Sequence, residues 1–218
     1  MPDAVEKAWS DAWSEVVDTA RRTVADGLVV GTSGNVSARV GDVVVVTPTG
    51  VPYDRLRPED LVAVGLDGRQ VHGDLLPTSE LPMHLAVYRA TGARAIVHTH
   101  APHATAVSTL VDRLPPVHYM TATLGGPVRV APYALYGTPE LAAGALAALR
   151  DRTACLLANH GTLAYGPTPA RAHERTGQLE WMCRVWLLAT ASGTPRTLTG
   201  ADLAAAADSF TTYGQPPA

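Results

Sequence analysis

The chain has 218 residues, 46% of them hydrophobic and 17% charged, a balance typical of a soluble globular protein with one sizeable core. Its formal net charge is -3 and it has no run of lysine or arginine, so it lacks the basic patch that is typical of a protein that binds nucleic acid or an anionic membrane. The sequence contains no apolar stretch approaching the roughly 20 residues that span a bilayer and no signal-peptide order at its start, so we expect a single cytoplasmic domain over residues 1–218.

The first part of the chain reads as a helix followed by hairpin strands. Apolar residues recur every three or four positions over residues 5–26, and Gly27 follows as a stop, which predicts a packed helix. Short β-rich runs predict three strands, over residues 36–39, 43–47 and 61–66. Helical spacing returns over residues 81–89, which places Glu80 near a helix N-terminus.

Helices and strands are interleaved in the rest of the chain. Apolar runs predict strands over residues 95–98, 128–132 and 154–158. Helical patterns cover residues 102–110, 138–150, 168–190 and 201–210. Thr138 and Thr168 each precede a proline, the order of an N-cap followed by the first helical residue. These elements predict an α/β fold, namely a three-layer α/β/α domain with a central, largely antiparallel sheet.

Two histidines at the end of a predicted strand suggest a metal site. His98 and His100 are two residues apart, so strand alternation places both imidazoles on one face. His160 follows another predicted strand, in a turn that Gly161 allows to be tight, and is a third ligand if the two strands are neighbours. Three imidazoles leave an open position on zinc or another divalent first-row metal, as in a catalytic site. Paired surface or core histidines are the alternative interpretation, and His103 is a competing ligand.

The start of the helix at residue 81 has the character of an anion site. Thr78 and Ser79 supply two hydroxyls beside free backbone N–H groups, and two glycine turns at residues 31–35 and 47–50 supply further small donors. Each turn alone is ordinary, and Glu80 alone is explained by the helix dipole. Together with a histidine site they favour a phosphate group on the substrate, whereas the absence of a Gly-x-x-x-x-Gly-Lys run argues against a nucleoside triphosphate.

These motifs, in this order, resemble the class II aldolase/adducin family. The matching segments are Gly-Thr-Ser-Gly-Asn-Val-Ser, Thr-Pro-Thr-Gly, Thr-Ser-Glu, His-Thr-His and Asn-His-Gly. The similarity covers nearly the whole chain, to Thr-Tyr-Gly at residues 212–214, and includes His-Tyr-Met at 118–120 and Ala-Pro-Tyr at 131–133. Relatives usually carry Ser-Ser-Glu where this chain has Thr-Ser-Glu, so Thr78 adds a methyl group to the pocket.

The resemblance implies roles for the metal and phosphate motifs. It implies one zinc ion per subunit, held by three histidines, with Glu80 as the acid/base and as a further ligand when the site is empty. The implied zinc ligands are His98, His100, His160 and Glu80. The implied phosphate contacts are Thr32, Gly34, Asn35, Thr49, Gly50, Thr78 and Ser79.

The resemblance also implies an oligomer whose tyrosines complete the active sites. Tyr119 and Tyr213 would enter the site of a neighbouring subunit in a cyclic homotetramer and act there as catalytic residues. Tyr136 would lie near the aldehyde. The alternative for Tyr119 and Tyr213 is an interface or core tyrosine without a catalytic role.

The implied activity is that of a metal-dependent lyase in carbohydrate metabolism. L-fuculose 1-phosphate would be cleaved reversibly to dihydroxyacetone phosphate and L-lactaldehyde through a metal-stabilised enediolate. No Schiff-base lysine is needed, and Lys7 is the only lysine of the chain. Aldolases for 5-deoxypentulose or rhamnulose 1-phosphates are close competitors. The family's 4-epimerases and methylthioribulose-1-phosphate dehydratases carry an acidic residue after the two-histidine strand, which residues 121–126 lack, and a non-enzymatic adducin-like scaffold is expected to lose the ligands.

Overall fold

The computed structural model describes the backbone of residues 2–214 and the side chains of residues 9–214. Within these residues the chain forms one eight-stranded sheet. The strands are β1 (Asn35–Val40), β2 (Val43–Val46), β3 (Val62–Gly65), β4 (Gln70–His72), β5 (Ala95–Thr99), β6 (Val130–Ala131), β7 (Ala154–Leu157) and β8 (Gly161–Gly166). Their order across the sheet is β4-β3-β2-β1-β5-β8-β7-β6, and only the β6–β7 pair is parallel. The prediction of a largely antiparallel sheet is confirmed.

Helices cover both faces of this sheet. They are α1 (Pro2–Ala25), α2 (Leu81–Ala90), α3 (Pro102–Ser108), α4 (Pro139–Ala148), α5 (Pro169–Ser192) and α6 (Gly200–Phe210), with 3-10 helices at Pro58–Asp60 and Tyr119–Leu124. Alternation along β2 shows the layering, because Val44 and Val46 pack into the cluster formed with α2 and α4, whereas Val45 packs into the cluster formed with α1. The three-layer prediction therefore holds.

Two of the predicted helices, α4 and α5, begin at their expected caps. The Thr138 and Thr168 hydroxyls accept hydrogen bonds from the backbone at Leu141 and Arg171, so each threonine satisfies an N–H that the first helical turn leaves free. The apolar face predicted for the first helix includes Val5, whose side chain lies outside the described residues. None of the helices within residues 2–214 combines the length and apolar character that a bilayer crossing requires.

Several predicted boundaries differ from the structure, and two strands, β4 and β8, were not predicted. The strand expected over residues 128–132 shortens to Val130–Ala131, and the helix expected to reach residue 150 ends at Ala148. Strand β8 follows directly after His160 and pairs with both β5 and β7. Its sequence is rich in small residues, so its conformation depends on the two neighbouring strands more than on local preference.

Candidate active site

Four ligating side chains meet where β5 ends and α2 begins. His98 lies on β5, His100 follows that strand, His160 occupies the β7–β8 turn and Glu80 is the residue before α2. One ligand atom of each residue lies within 4.8 Å of the others. The His98 Nε2 atom is 3.1 Å from His100 Nε2 and 2.9 Å from Glu80 Oε2. Tetrahedral ligands around zinc stand about 3.3 Å apart, so the cluster has the dimensions of a site for one first-row ion.

A hydrogen bond to the backbone orients the most buried of these ligands. His98 Nδ1 lies 2.7 Å from the carbonyl oxygen of Thr162 on β8 and therefore carries the proton that it donates. In the neutral imidazole, Nε2 is then the nitrogen without a proton, and it is directed at the cluster. Such a bond from the far nitrogen is the usual way in which a protein fixes a metal-binding imidazole.

Glu80 supplies an independent test of whether a metal fits. Its side chain is buried, and Oε2 accepts a hydrogen bond from Asn35 Nδ2 at 2.9 Å. Among the described residues Oε1 has no hydrogen-bond partner, although His160 Nε2 lies 3.3 Å away. A buried carboxylate oxygen without a partner is costly, and a divalent cation would satisfy it. The residues present therefore fit a metal ion.

The pKa values of the four groups show how the metal-free cluster distributes its charge. Burial opposes ionisation of Glu80, but His98 beside it holds the pKa of the carboxyl well below its usual range. Burial also opposes protonation of His98, but the attraction and hydrogen bond of the Glu80 carboxylate outweigh the effect of burial, so the pKa of His98 is raised. Burial, followed by repulsion from His98, lowers the pKa of His100 and of His160 to about 4. At neutral pH these two imidazoles are unprotonated, the form that binds a metal.

His160 reaches the cluster by a different route from the one expected. The strands β5 and β7 are not neighbours, because β8 lies between them. The turn between β7 and β8 places His160 beside β5 instead, with Asn159 in the left-handed region at φ 54°. A Cβ atom on Gly161 would lie 2.1 Å from the Thr99 carbonyl oxygen, so only glycine permits this close approach.

One cavity joins the metal cluster to the predicted anion pocket. Its volume is about 290 Å³. All seven residues predicted to contact phosphate line it, namely Thr32, Gly34, Asn35, Thr49, Gly50, Thr78 and Ser79. Glu80, His100 and His160 line the same cavity, and no lysine or arginine is among its described lining residues.

The three tyrosines fall into two groups. Tyr136 lines the cavity, as does Tyr133. Tyr119 and Tyr213 are not among the described lining residues; Tyr119 packs near Phe210 with ring centroids 5.9 Å apart. Tyr119 is 52% exposed and Tyr213 is 85% exposed, so neither is a core tyrosine of this chain.

Several other residues were missed or set aside by sequence reasoning. Asn159, Tyr133 and Ala134 line the cavity although no role had been assigned to them, and the Asn-His-Gly and Ala-Pro-Tyr motifs were the signals that contained them. His103, the competing ligand, instead lies with Nδ1 2.6 Å from Glu180 Oε1 and is not in the metal-ligand cluster.

Comparison with known proteins identifies the family. Residues 14–187 match the Class II Aldolase and Adducin N-terminal domain, and the chain belongs to this family. It is 37% identical over 204 residues to 5-deoxy-D-ribulose 1-phosphate aldolase of Bacillus thuringiensis serovar kurstaki, covering 92% of this chain and 96% of that protein. It is also 37% identical over 203 residues to L-fuculose phosphate aldolase of Escherichia coli strain K12, covering 92% and 94%.

The fold leads to the same family. A solved structure of L-fuculose 1-phosphate aldolase superposes with a TM-score of 0.90 and 36% identity, over 93% of this chain and 97% of that one. Family membership and the cluster of Glu80 with three histidines support a metal-dependent lyase. The named relatives act on different ketose phosphates.

Proposed function

We propose that the protein is a zinc-dependent aldolase that reversibly cleaves a ketose 1-phosphate, with L-fuculose 1-phosphate as the preferred substrate. The products are dihydroxyacetone phosphate and L-lactaldehyde. The observation that carries this proposal is the single cavity, which holds a metal-ligand cluster at one side and a set of neutral anion donors at the other.

The phosphate group would be held by backbone and hydroxyl donors rather than by cationic side chains. Among the proposed phosphate contacts, four have backbone N–H groups for which residues 2–214 supply no hydrogen-bond acceptor, and these are Thr32, Gly34, Gly50 and Ser79. Oriented N–H groups at glycine turns and at a helix start suit an anion. Asn35, Thr49 and Thr78 complete the proposed phosphate contacts.

Glu80 is the proposed acid/base. A divalent ion held by His98, His100 and His160 would supply Lewis acidity, which stabilises the negative charge that develops on substrate oxygens. Glu80 Oε2 is held by Asn35, whereas Oε1 has no hydrogen bond among the described residues and is the oxygen that would exchange a proton with the three-carbon phosphate fragment. Such proton transfer contributes about 10²- to 10⁴-fold in rate.

The aldehyde half of the site would come from a second subunit. Tyr119 and Tyr213 are exposed and not among the described residues lining their own chain's cavity, as expected of side chains that serve a neighbour. We assign them to the adjoining active site of a cyclic homotetramer, with Tyr119 acting on the aldehyde oxygen. Tyr136, at the cavity wall, would face the same aldehyde.

The identity of the sugar is the part that needs the sharpest test. A 5-deoxypentulose 1-phosphate is one CHOH unit shorter than L-fuculose 1-phosphate, and rhamnulose 1-phosphate differs from it only in configuration. A difference of about one methylene in an apolar pocket is discriminated by only about 1–3 kcal/mol. The second candidate is therefore a 5-deoxypentulose 1-phosphate, which the relative from Bacillus thuringiensis favours, or a rhamnulose 1-phosphate. The intact set of Glu80 and three histidines argues against a scaffold without activity.

The test is a comparison of kcat/KM for dihydroxyacetone phosphate release from these three sugar phosphates. We expect release from all three, with the highest value for L-fuculose 1-phosphate. A higher value for the deoxypentulose phosphate would transfer the assignment to that sugar. Consumption without dihydroxyacetone phosphate release would indicate epimerisation or dehydration and contradict the aldolase proposal.

A further inference from the structure

A row of buried polar side chains leads from the metal cluster into the core. Glu80, His84 and Tyr88 recur every four residues along the start of α2 and so lie on one face of the helix. Asn35 and Ser37 lie two residues apart on β1 and face them. All five side chains are buried.

Hydrogen bonds connect these side chains alternately across the helix and the strand. Tyr88 Oη and His84 Nδ1 each lie 2.7 Å from Ser37 Oγ. His84 Nε2 lies 2.5 Å from Asn35 Oδ1. Asn35 Nδ2 donates to Glu80 Oε2 at 2.9 Å and to Thr78 Oγ1 at 3.0 Å. The row therefore ends on the proposed acid/base.

Only one arrangement of protons satisfies every bond. Because Asn35 Nδ2 donates to a carboxylate, Asn35 Oδ1 must face His84, whose Nε2 then carries the proton. His84 Nδ1 accepts the Ser37 hydroxyl proton, and Ser37 accepts from Tyr88. The reversed amide would place the Asn35 carbonyl oxygen against a Glu80 oxygen, and the two partial negative charges would repel.

Apart from Glu80 itself, the side chains of the row carry no charge. Burial lowers the pKa of His84 to about 3, with repulsion from His98 in the same direction and Glu80 opposing. Burial raises the pKa of Tyr88. His84 and Tyr88 are both neutral near neutral pH, so they can orient Glu80 but do not supply or accept a proton in the reaction.

We propose that His84 is a positioning residue for the acid/base, because it holds the Asn35 amide in the orientation that grips Glu80 Oε2 and leaves Oε1 free. This inference rests on the proposed function. It gives the Asn35 side chain a second role beside the predicted phosphate contact. It also explains a buried histidine that touches neither the cavity nor the metal cluster.

A matched pair of substitutions separates positioning from packing. His84→Gln keeps an N–H donor at the position of Nε2, whereas His84→Met has a side chain of similar length without a donor. Tyr88→Phe is the control, because it deletes a buried hydroxyl at the far end of the row and leaves the His84–Asn35 bond in place.

We expect kcat to fall when residue 84 loses its N–H donor and to recover when the donor is kept. His84→Met should lower kcat about 10- to 100-fold with KM little changed, since a misplaced catalytic group costs about that much. His84→Gln should recover most of the rate, Tyr88→Phe should match the wild type, and bound zinc should be equal in all. The inference would be overturned if kcat fell equally in His84→Met, His84→Gln and Tyr88→Phe. A wild-type kcat in His84→Met would also overturn it.

A second measurement needs no variant. Nitrogen-15 NMR of the metal-free wild-type protein should show His84 as the neutral tautomer protonated at Nε2. Protonation at Nδ1 would mean a reversed Asn35 amide and would overturn the inference. A wild-type protein that cleaves no ketose phosphate would instead count against the proposed function, so the two failures are distinguishable.

Discussion

The two carboxylate oxygens of Glu80 have different surroundings. It is buried, yet one of its oxygens has no hydrogen bond among the described residues while the other is held by Asn35. The neighbouring His98 keeps the pKa of the carboxyl below its usual range despite burial. This asymmetry of the two oxygens is what the proposed proton transfer requires.

Glu80→Gln should abolish proton transfer while keeping the shape of the site. The amide still fits the space, but it has no basic oxygen to accept the proton. We expect kcat to fall about 10²- to 10⁴-fold with KM little changed. The assay is steady-state cleavage together with solvent hydrogen exchange into dihydroxyacetone phosphate, with zinc content as the control. An unchanged rate would contradict the assigned role.

His84 should also leave a signature in the pH dependence of stability. Its pKa is about 3 in the folded protein against 6.5 in the unfolded chain, so between these values the unfolded state binds more protons. Stability therefore falls as the pH drops through this window and is unaffected above it. Between pH 7 and pH 5 the metal-free wild type should lose about 2 kcal/mol more than His84→Met. Urea unfolding at both pH values measures this, and parallel losses would contradict it.

At the scale of elements, the β7–β8 turn is the part of the fold on which the third histidine depends. The Gly161 backbone passes so close to the Thr99 carbonyl that a Cβ atom would lie 2.1 Å from its oxygen. Because Thr99 stands between His98 and His100, any shift there displaces ligands on both sides of the cluster. Backbone packing and metal geometry are therefore coupled.

Gly161→Ala should weaken both folding and zinc binding. We expect a loss of about 1–3 kcal/mol in the free energy of unfolding, as for overpacked sites, together with lower zinc affinity. Gly177→Ala, in α5 with nothing within 4 Å of the added Cβ, is the matched control and should gain about 0.5–1 kcal/mol without changing zinc binding. Equal zinc affinity in both variants would show that the turn tolerates the displacement.

How much of the site was predictable differs between elements. The shared face of His98 and His100 follows from strand alternation alone, because the run before them is strongly apolar. The position of His160 does not follow from strand alternation, because it depends on β8, and β8 is stabilised by pairing with β5 and β7. The contact between His84 and Asn35 is also beyond a sequence pattern, because spacing places a residue on a helix face but does not identify the strand that faces it.

At the scale of the whole molecule, the exposed tyrosines predict a shared active site. Tyr119 and Tyr213 are 52% and 85% exposed and, within the described chain, do not line the cavity that holds Glu80. If Tyr119 serves a neighbouring subunit, two defective variants should repair one another. A subunit with Glu80→Gln still donates an intact Tyr119 to its neighbour.

Mixing Glu80→Gln and Tyr119→Phe subunits should therefore restore activity. In a randomly mixed cyclic oligomer, about one quarter of the sites would combine an intact Glu80 with an intact neighbouring Tyr119. The measurement is cleavage after subunit exchange, with exchange verified by native mass spectrometry. Activity no higher than the sum of the two parents, despite verified mixing, would show that Tyr119 does not act across an interface.

The most direct test of the central claim is metal-dependent cleavage of L-fuculose 1-phosphate by the purified wild-type protein. Dihydroxyacetone phosphate release, followed through a coupled NADH assay, is measured before chelation, after it, and after zinc is restored. The arrangement of Glu80, His98, His100 and His160 predicts that release stops on chelation and returns with zinc. Cleavage that persists in the metal-free protein, or no cleavage with zinc bound, would contradict it.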